Sequence, residues 1–135
     1  MQKALWEKFL LVTSFGGVGA VTRAAIGAIR AMPETRRLLE QCMTEVFAVA
    51  RSREIALADA IVADTLTFLD SLAPDGTTSL QRDIIDGKPS ELEYWNGAVV
   101  RLAREQGVAA PTNEFIYHSP LPQEKRARGV DASSR

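Results

Sequence analysis

An apolar period near 3.6 residues recurs along this chain, and no stretch shows sustained strand-type alternation between turn signals. That pattern excludes a sheet and predicts an all-α domain, a helical bundle of about six or seven helices. The period is clearest after Pro33. Leu38, Leu39, Cys42, Met43, Val46, Phe47 and Ala50 make one face of the longest helix, which runs to about Arg53. Pro33 at the first helical position and Glu34 in the first turn give it a start signal. A second such helix is expected from about Ala58 to Leu72, with Ile61, Thr65, Phe68, Leu69 and Leu72 as its stripe.

The first helix is expected from about Ala4 to Phe15. It is apolar nearly all round, with Leu5, Phe9, Val12 and Phe15 on the main stripe and Trp6, Leu10 and Leu11 elsewhere, so it belongs at the centre of the fold. The glycines of Phe15–Ala20 are then expected to break it and to let the next turn pack closely. Gly17-x-Gly19 is not a dinucleotide fingerprint. Thr22 stands where the third glycine or alanine is needed, the segment follows a helix, and no βαβ unit surrounds it. A short helical piece follows around Gly27, with Arg23 as a candidate anion contact.

At 135 residues the chain is one domain with room for a real core. Its formal net charge of −1 argues against nucleic-acid or anionic-membrane partners. One cysteine and one histidine do not make a zinc site, and Cys42 falls on the apolar side of its helix as a small hydrophobe. His118 reads as a polar end-of-helix residue. Glu7 and Lys8 interrupt the apolar N-terminus, so no signal peptide is expected, nothing approaches a membrane span, and the default compartment is cytoplasmic. A last short helix is expected over Asn113–His118, with Asn113 and Glu114 in surface capping ahead of any cofactor contact. From Gln123 onward the chain lacks apolar periodicity. The domain is therefore bounded at 1–122 and residues 123–135 are expected to form a disordered tail.

Two charged residues are badly placed for solvent. Lys8 stands in the middle of the first helix's apolar stripe, where it either snorkels past the rim or holds an ammonium beside a ligand, near a carboxylate that keeps it charged. The other lies in Thr77–Gly97, TTSLQRDIIDGKPSELEYWNG, which reads as a short helix, a Gly-Lys-Pro turn and a longer helix. Ser90 and Glu93 have the spacing of a capping box. At about 100° per residue Glu91 shares a side with Leu92, Trp95, Val99 and Leu102, while Glu93 faces solvent with Arg101 and Arg104. A carboxylate on the core-facing stripe needs a partner. Glu91 is either a dipole partner at the rim of the core or an acid of a site. Asn96, five residues on, is expected to turn away.

The residues Thr-Thr-Ser-Leu-Gln-Arg-Asp, the Gly-Lys-Pro turn and Ser-Glu-Leu-Glu-Tyr-Trp-Asn-Gly resemble the signature of the C-terminal domain of ketopantoate reductases (2-dehydropantoate 2-reductases). Leu-Trp-Glu-Lys-Phe is similar to the segment that opens that domain, and the resemblance runs from about Leu5 to Pro122. It implies a helical domain like the C-terminal part of 6-phosphogluconate dehydrogenase. It also implies NADPH-dependent reduction of 2-dehydropantoate to pantoate, on the route to pantothenate. In its terms Lys8 is the general acid on the ketone oxygen, Ser79 contacts the substrate carboxylate, and Glu91 contacts the substrate. Many members place asparagines four and eight residues after the lysine, where Val12 and Gly16 stand here, so the small 2-keto acid is left open.

The resemblance further implies a Rossmann-type nucleotide-binding domain, which the chain lacks and which precedes the Leu5 segment in a full reductase. Without it the chain is not expected to be competent alone. Three readings remain: the substrate-binding and dimerising part of a reductase, a domain acting in trans with a separate nucleotide-binding chain, or a non-catalytic helical interaction module. The apolar first helix favours a homodimer.

Overall fold

Helices are the only regular structure among residues 2–130, the residues described by a computed structural model of the chain. They are α1 (Gln2–Thr22), α2 (Ile26–Ala31), α3 (Pro33–Ser52), α4 (Ile61–Asp70), α5 (Ser79–Ile85), α6 (Ala98–Gln106), α7 (Pro111–His118) and α8 (Leu121–Ala127), with a π turn over Glu93–Gly97 leading into α6. The all-α expectation holds. α3 buries Leu39, Cys42, Met43, Val46, Val49 and Ala50, the face that the period marked.

α1 corrects the first reading. It does not stop at Phe15 but runs unbroken through its glycines to Thr22. Each glycine inside a helix costs about 0.8–1.0 kcal/mol relative to alanine, and close approach offsets that cost. A Cβ on Gly16 would stand 2.9 Å from Leu80 of α5, and one on Gly17 would stand 2.6 Å from both Asn96 and Ile116. A Cβ on Gly19 would collide with the Gln81 amide. The glycines thus form the surface on which α5, the π turn and α7 sit. Arg23 ends the helix in a left-handed conformation (φ 60°), its N–H on Gly19 O at 2.7 Å. An exposed Arg23 has no ion-pair partner among the described residues.

Continuity also changes what α1 is by composition. It is long and apolar enough to cross a membrane, contrary to the expectation that nothing approaches a span, yet 56% of its most apolar window is buried among the other helices. It is the central helix of this bundle. Leu10, Val18, Ile26, Ile29, Leu39, Met43, Val46, Leu69, Val99 and Ile116 build the main core around it. Ala20, Leu80, Ile84 and Leu92 form a second cluster under α5.

The C-terminal part holds two more corrections. Asn113 is not a surface cap but fully buried, donating to Cys42 O at 3.2 Å and Glu45 Oε1 at 2.8 Å while accepting from Cys42 Sγ at 3.2 Å. Glu45 of α3 caps α7 in its place, taking the N–H groups of Thr112 (3.0 Å) and Asn113 (2.9 Å). Burial pushes the Cys42 thiol well above its ordinary range, as suits an inert core residue. The segment from Gln123 is not a frayed tail: residues through Ala127 continue α8, and Glu124 is buried. Residues 131–135, where the rest of that expectation falls, lie outside the described residues.

Candidate functional site

Lys8, Glu91 and the π turn meet at one aromatic ring. Trp95 is 7% exposed and packs edge-on against Phe9 of α1, ring centroids 5.2 Å apart. Lys8, one residue earlier and exposed, carries its Nζ over the Trp95 ring at 5.8 Å from the centroid. That is within the range of a cation–π attraction. On the other side the Trp95 indole N–H donates a long bond, 3.4 Å, to Glu91 Oε1. Among the described residues neither Lys8 nor Glu91 forms an ion pair. The structure therefore brings the two together through the indole and not by direct contact.

Glu91 is exposed and sits in a bend ahead of the helical turn, so it belongs to the rim and not to the buried stripe. Its carbonyl accepts the Trp95 N–H at 3.0 Å. The capping box predicted beside it is not formed as expected. Ser90 Oγ does accept the Leu92 N–H at 3.2 Å, but the acid that reaches the Ser90 N–H is Glu124 of α8, at 3.1 and 3.2 Å. Glu93 instead pairs with Arg101 at 2.5 Å and accepts from the Tyr117 hydroxyl at 2.6 Å. Burial, and then that bond to Glu93, push the Tyr117 phenol up to about 12.

Ser79 opens α5, just after Thr78, whose hydroxyl caps the helix by accepting the Gln81 N–H at 3.2 Å. The Ser79 side chain is exposed and makes no hydrogen bond to a described residue. Thr78 Oγ1 lies 3.5 Å from the position of a Cβ on Gly16, so the start of α5 abuts α1 there. Gly16 is two turns beyond Lys8 on the same stripe, about 12 Å along the axis. Val12 lies between them, half buried. The start of α5, which carries Ser79, thus meets α1 two turns beyond Lys8, and Glu91 stands near Lys8.

Asn96 corrects another expectation. It is fully buried, its amide donating to Thr13 O at 3.2 Å, because the π turn takes an extra residue and swings this position back onto α1. Three clefts lie elsewhere: one by Arg23, Ile84 and Ser119, one by Arg36, Arg37 and Glu40, and an apolar one by Leu11, Ile61 and Phe68. None of the three is lined by Lys8, Ser79 or Glu91. Trp95 was legible beforehand only as a stripe residue, although its spacing of four from Glu91 was the signal. Glu124 had no signal, sitting in a segment without periodicity.

Residues 1–119 match the family described as "Ketopantoate reductase PanE/ApbA C terminal". The chain belongs to that family. Among ketopantoate reductase relatives, the 2-dehydropantoate 2-reductase of Aquifex aeolicus is 30% identical over 121 residues, covering 84% of this chain and 38% of the relative. That of Halobacterium salinarum is 28% identical over 110 residues, covering 82% and 36%. A ketopantoate reductase from Staphylococcus aureus, described as dimeric, superposes with a TM-score of 0.88 at 25% identity, over 93% of this chain and 44% of its own. D-mandelate dehydrogenase, solved with NADH and anilino(oxo)acetate, shares the fold (TM-score 0.83, 18% identity, 95% of this chain and 42% of that one). This ketopantoate reductase C-terminal domain spans less than half the length of these relatives.

Proposed function

We propose that this chain is the substrate-binding half of an NADPH-dependent 2-dehydropantoate 2-reductase, a cytoplasmic enzyme that makes pantoate for pantothenate synthesis. The observation that carries this reading is the sharing of Trp95 by Lys8 and Glu91, with the unengaged, exposed Ser79 at the start of α5, which abuts α1 two turns beyond Lys8. Lys8 is exposed enough to reach a ligand and is not neutralised by a neighbouring carboxylate. As the ketone is reduced, charge builds on its oxygen, and the Lys8 ammonium stabilises and protonates it. Glu91 orients Lys8 or a substrate hydroxyl, and Ser79 donates to the substrate carboxylate.

The nicotinamide dinucleotide itself has no fitting site among these residues. Gly16–Gly19 lie inside α1, packed under α5, the π turn and α7, and are not a phosphate-binding turn. The reductant belongs to a Rossmann-type domain, in cis or in trans, and the chain alone is not competent. A homodimer built on this helical domain agrees with the dimeric Staphylococcus aureus relative.

Val12 and Gly16, standing where many members carry asparagines, leave open a second outcome, a 2-keto acid other than 2-dehydropantoate. Calorimetric titration of the chain with 2-dehydropantoate and with simpler 2-keto acids tests both. Lys8→Ala should weaken the bound acid by about 10- to 100-fold, the loss expected for a charged hydrogen bond, with an unchanged far-UV circular dichroism spectrum. A parent chain that binds no 2-keto acid, alone or with a nucleotide-binding domain supplied, would favour the non-catalytic interaction module.

A further inference from the structure

The acid that fixes the turn ahead of Glu91 comes from the last helix. Glu124 is 3% exposed, and its carboxylate accepts the Ser90 N–H at 3.1 and 3.2 Å, the Ser90 hydroxyl at 2.5 Å and Arg128 Nε at 2.6 Å. Arg128 also donates to Ser90 O at 2.5 Å. Ser90 Oγ in turn accepts the Leu92 N–H at 3.2 Å. Both backbone polar groups of Ser90 are therefore held from α8 and its C-terminal cap Arg128, and the residue after Glu91 is tied to the same hydroxyl. Glu91 itself is untouched by this clasp. Among the described residues its carboxylate has one protein bond, the long one from Trp95.

A carboxylate as buried as Glu124 is costly unless its oxygens are fully used. Here they are used on the Ser90 N–H and hydroxyl of a turn and on Arg128, four residues on. A helix start has cheaper solutions: its own serine cap already serves the Leu92 N–H. What the clasp adds is a fixed direction for the peptide planes on either side of Glu91.

We propose that Glu124, aided by Arg128, is a positioning residue for Glu91, holding its carboxylate at the edge of Trp95 opposite Lys8. The inference rests on the reading in which Glu91 meets the substrate, but its first test does not. The chain has two tryptophans, Trp6 and Trp95. In a ¹H–¹⁵N spectrum Glu91→Gln displaces the Trp95 indole N–H signal and spares that of Trp6. Glu124→Gln displaces the same signal, and adds nothing further when Glu91 is already Gln. Arg128→Ala, whose side chain is 51% exposed and leaves no buried hole, gives a smaller shift in the same direction and decides the matter if Glu124→Gln does not fold.

Variants that melt earlier but leave the Trp95 indole in place overturn the proposal, since α8 then supports only the fold. So does a Glu91→Gln spectrum identical to the parent. The ligand arm separates this from the functional reading. Glu124→Gln weakens a 2-keto acid with a distal hydroxyl on the order of threefold to tenfold and spares its deoxy analogue. Equal loss for both overturns the positioning role. A parent that binds neither acid, even with a nucleotide-binding domain supplied, while its indole signals shift as described sinks the reductase reading and leaves the clasp standing.

Discussion

An ammonium over the face of an indole and a carboxylate at its N–H use opposite poles of one ring. The face of Trp95 is electron-rich and attracts Lys8, while its N–H edge is electron-poor and suits Glu91. The ring keeps the two charges near each other without a direct ion pair, so the three donors of the ammonium stay available. Lys8→Arg keeps a cation over the ring but replaces it with a guanidinium that does not release a proton near neutral pH. Keto-acid binding should survive this change. Turnover by the protein supplied with a nucleotide-binding domain should fall by about 10²- to 10⁴-fold, the usual worth of a general acid. Steady-state kinetics would show it in kcat, with KM little moved, and an active Lys8→Arg enzyme would remove Lys8 from the proton-transfer role. The pairing was half legible. Lys8 and Glu91 stood out because each is a charge on an apolar stripe, but nothing in the sequence shows that an aromatic ring would stand between them.

The elements that defied expectation did so through contacts that lie far along the chain. Glycines at 16, 17 and 19 read locally as breakers, and only α5, the π turn and α7 make them useful. Gly17→Ala places a methyl 2.6 Å from both Asn96 and Ile116, atoms of a buried amide and a core side chain that have little room to move. It should destabilise the fold by about 1–3 kcal/mol, as overpacking does, although alanine is the better helix former. Denaturant unfolding checks this, and a more stable Gly17→Ala protein would mean that propensity outweighs the contact. The capping box failed for a related reason: the spacing of Ser90 and Glu93 is correct, but the π turn and Tyr117 take Glu93 elsewhere. That choice has a pH signature. Folding lifts the Tyr117 phenol from its ordinary 10.0 to about 12, so the folded state keeps a proton that the unfolded state has lost in between. The contribution is whole below pH 10 and disappears as pH rises toward 12. Tyr117→Phe should therefore flatten the fall in stability across that window, and an unchanged alkaline limb would show that the phenol is not responsible. By contrast α3 was readable from its residues alone, since its face, its Pro33 start and its buried Cys42 depend on local pattern.

For the molecule as a whole, the family assignment and the length of its relatives bear on one another. The chain covers 36–44% of the three ketopantoate reductases described above. It should not oxidise NADPH in the presence of 2-dehydropantoate until a nucleotide-binding domain is supplied, a result read directly from NADPH absorbance. Activity of this chain alone would reveal a dinucleotide site that its helices do not display. The intact mass of the native gene product bears on the same point, since a product about twice this size would place both halves in one polypeptide. The glycine face of α1 also has a consequence during synthesis. This helix leaves the ribosome before the segments that cover it, α5, the π turn and α7, which end at His118. At about 5–20 residues per second, an apolar rod able by composition to enter a bilayer waits on the order of 5 to 20 s for its partners. Nascent α1 is thus a natural client for a chaperone, and the emergence of α7 is what releases it.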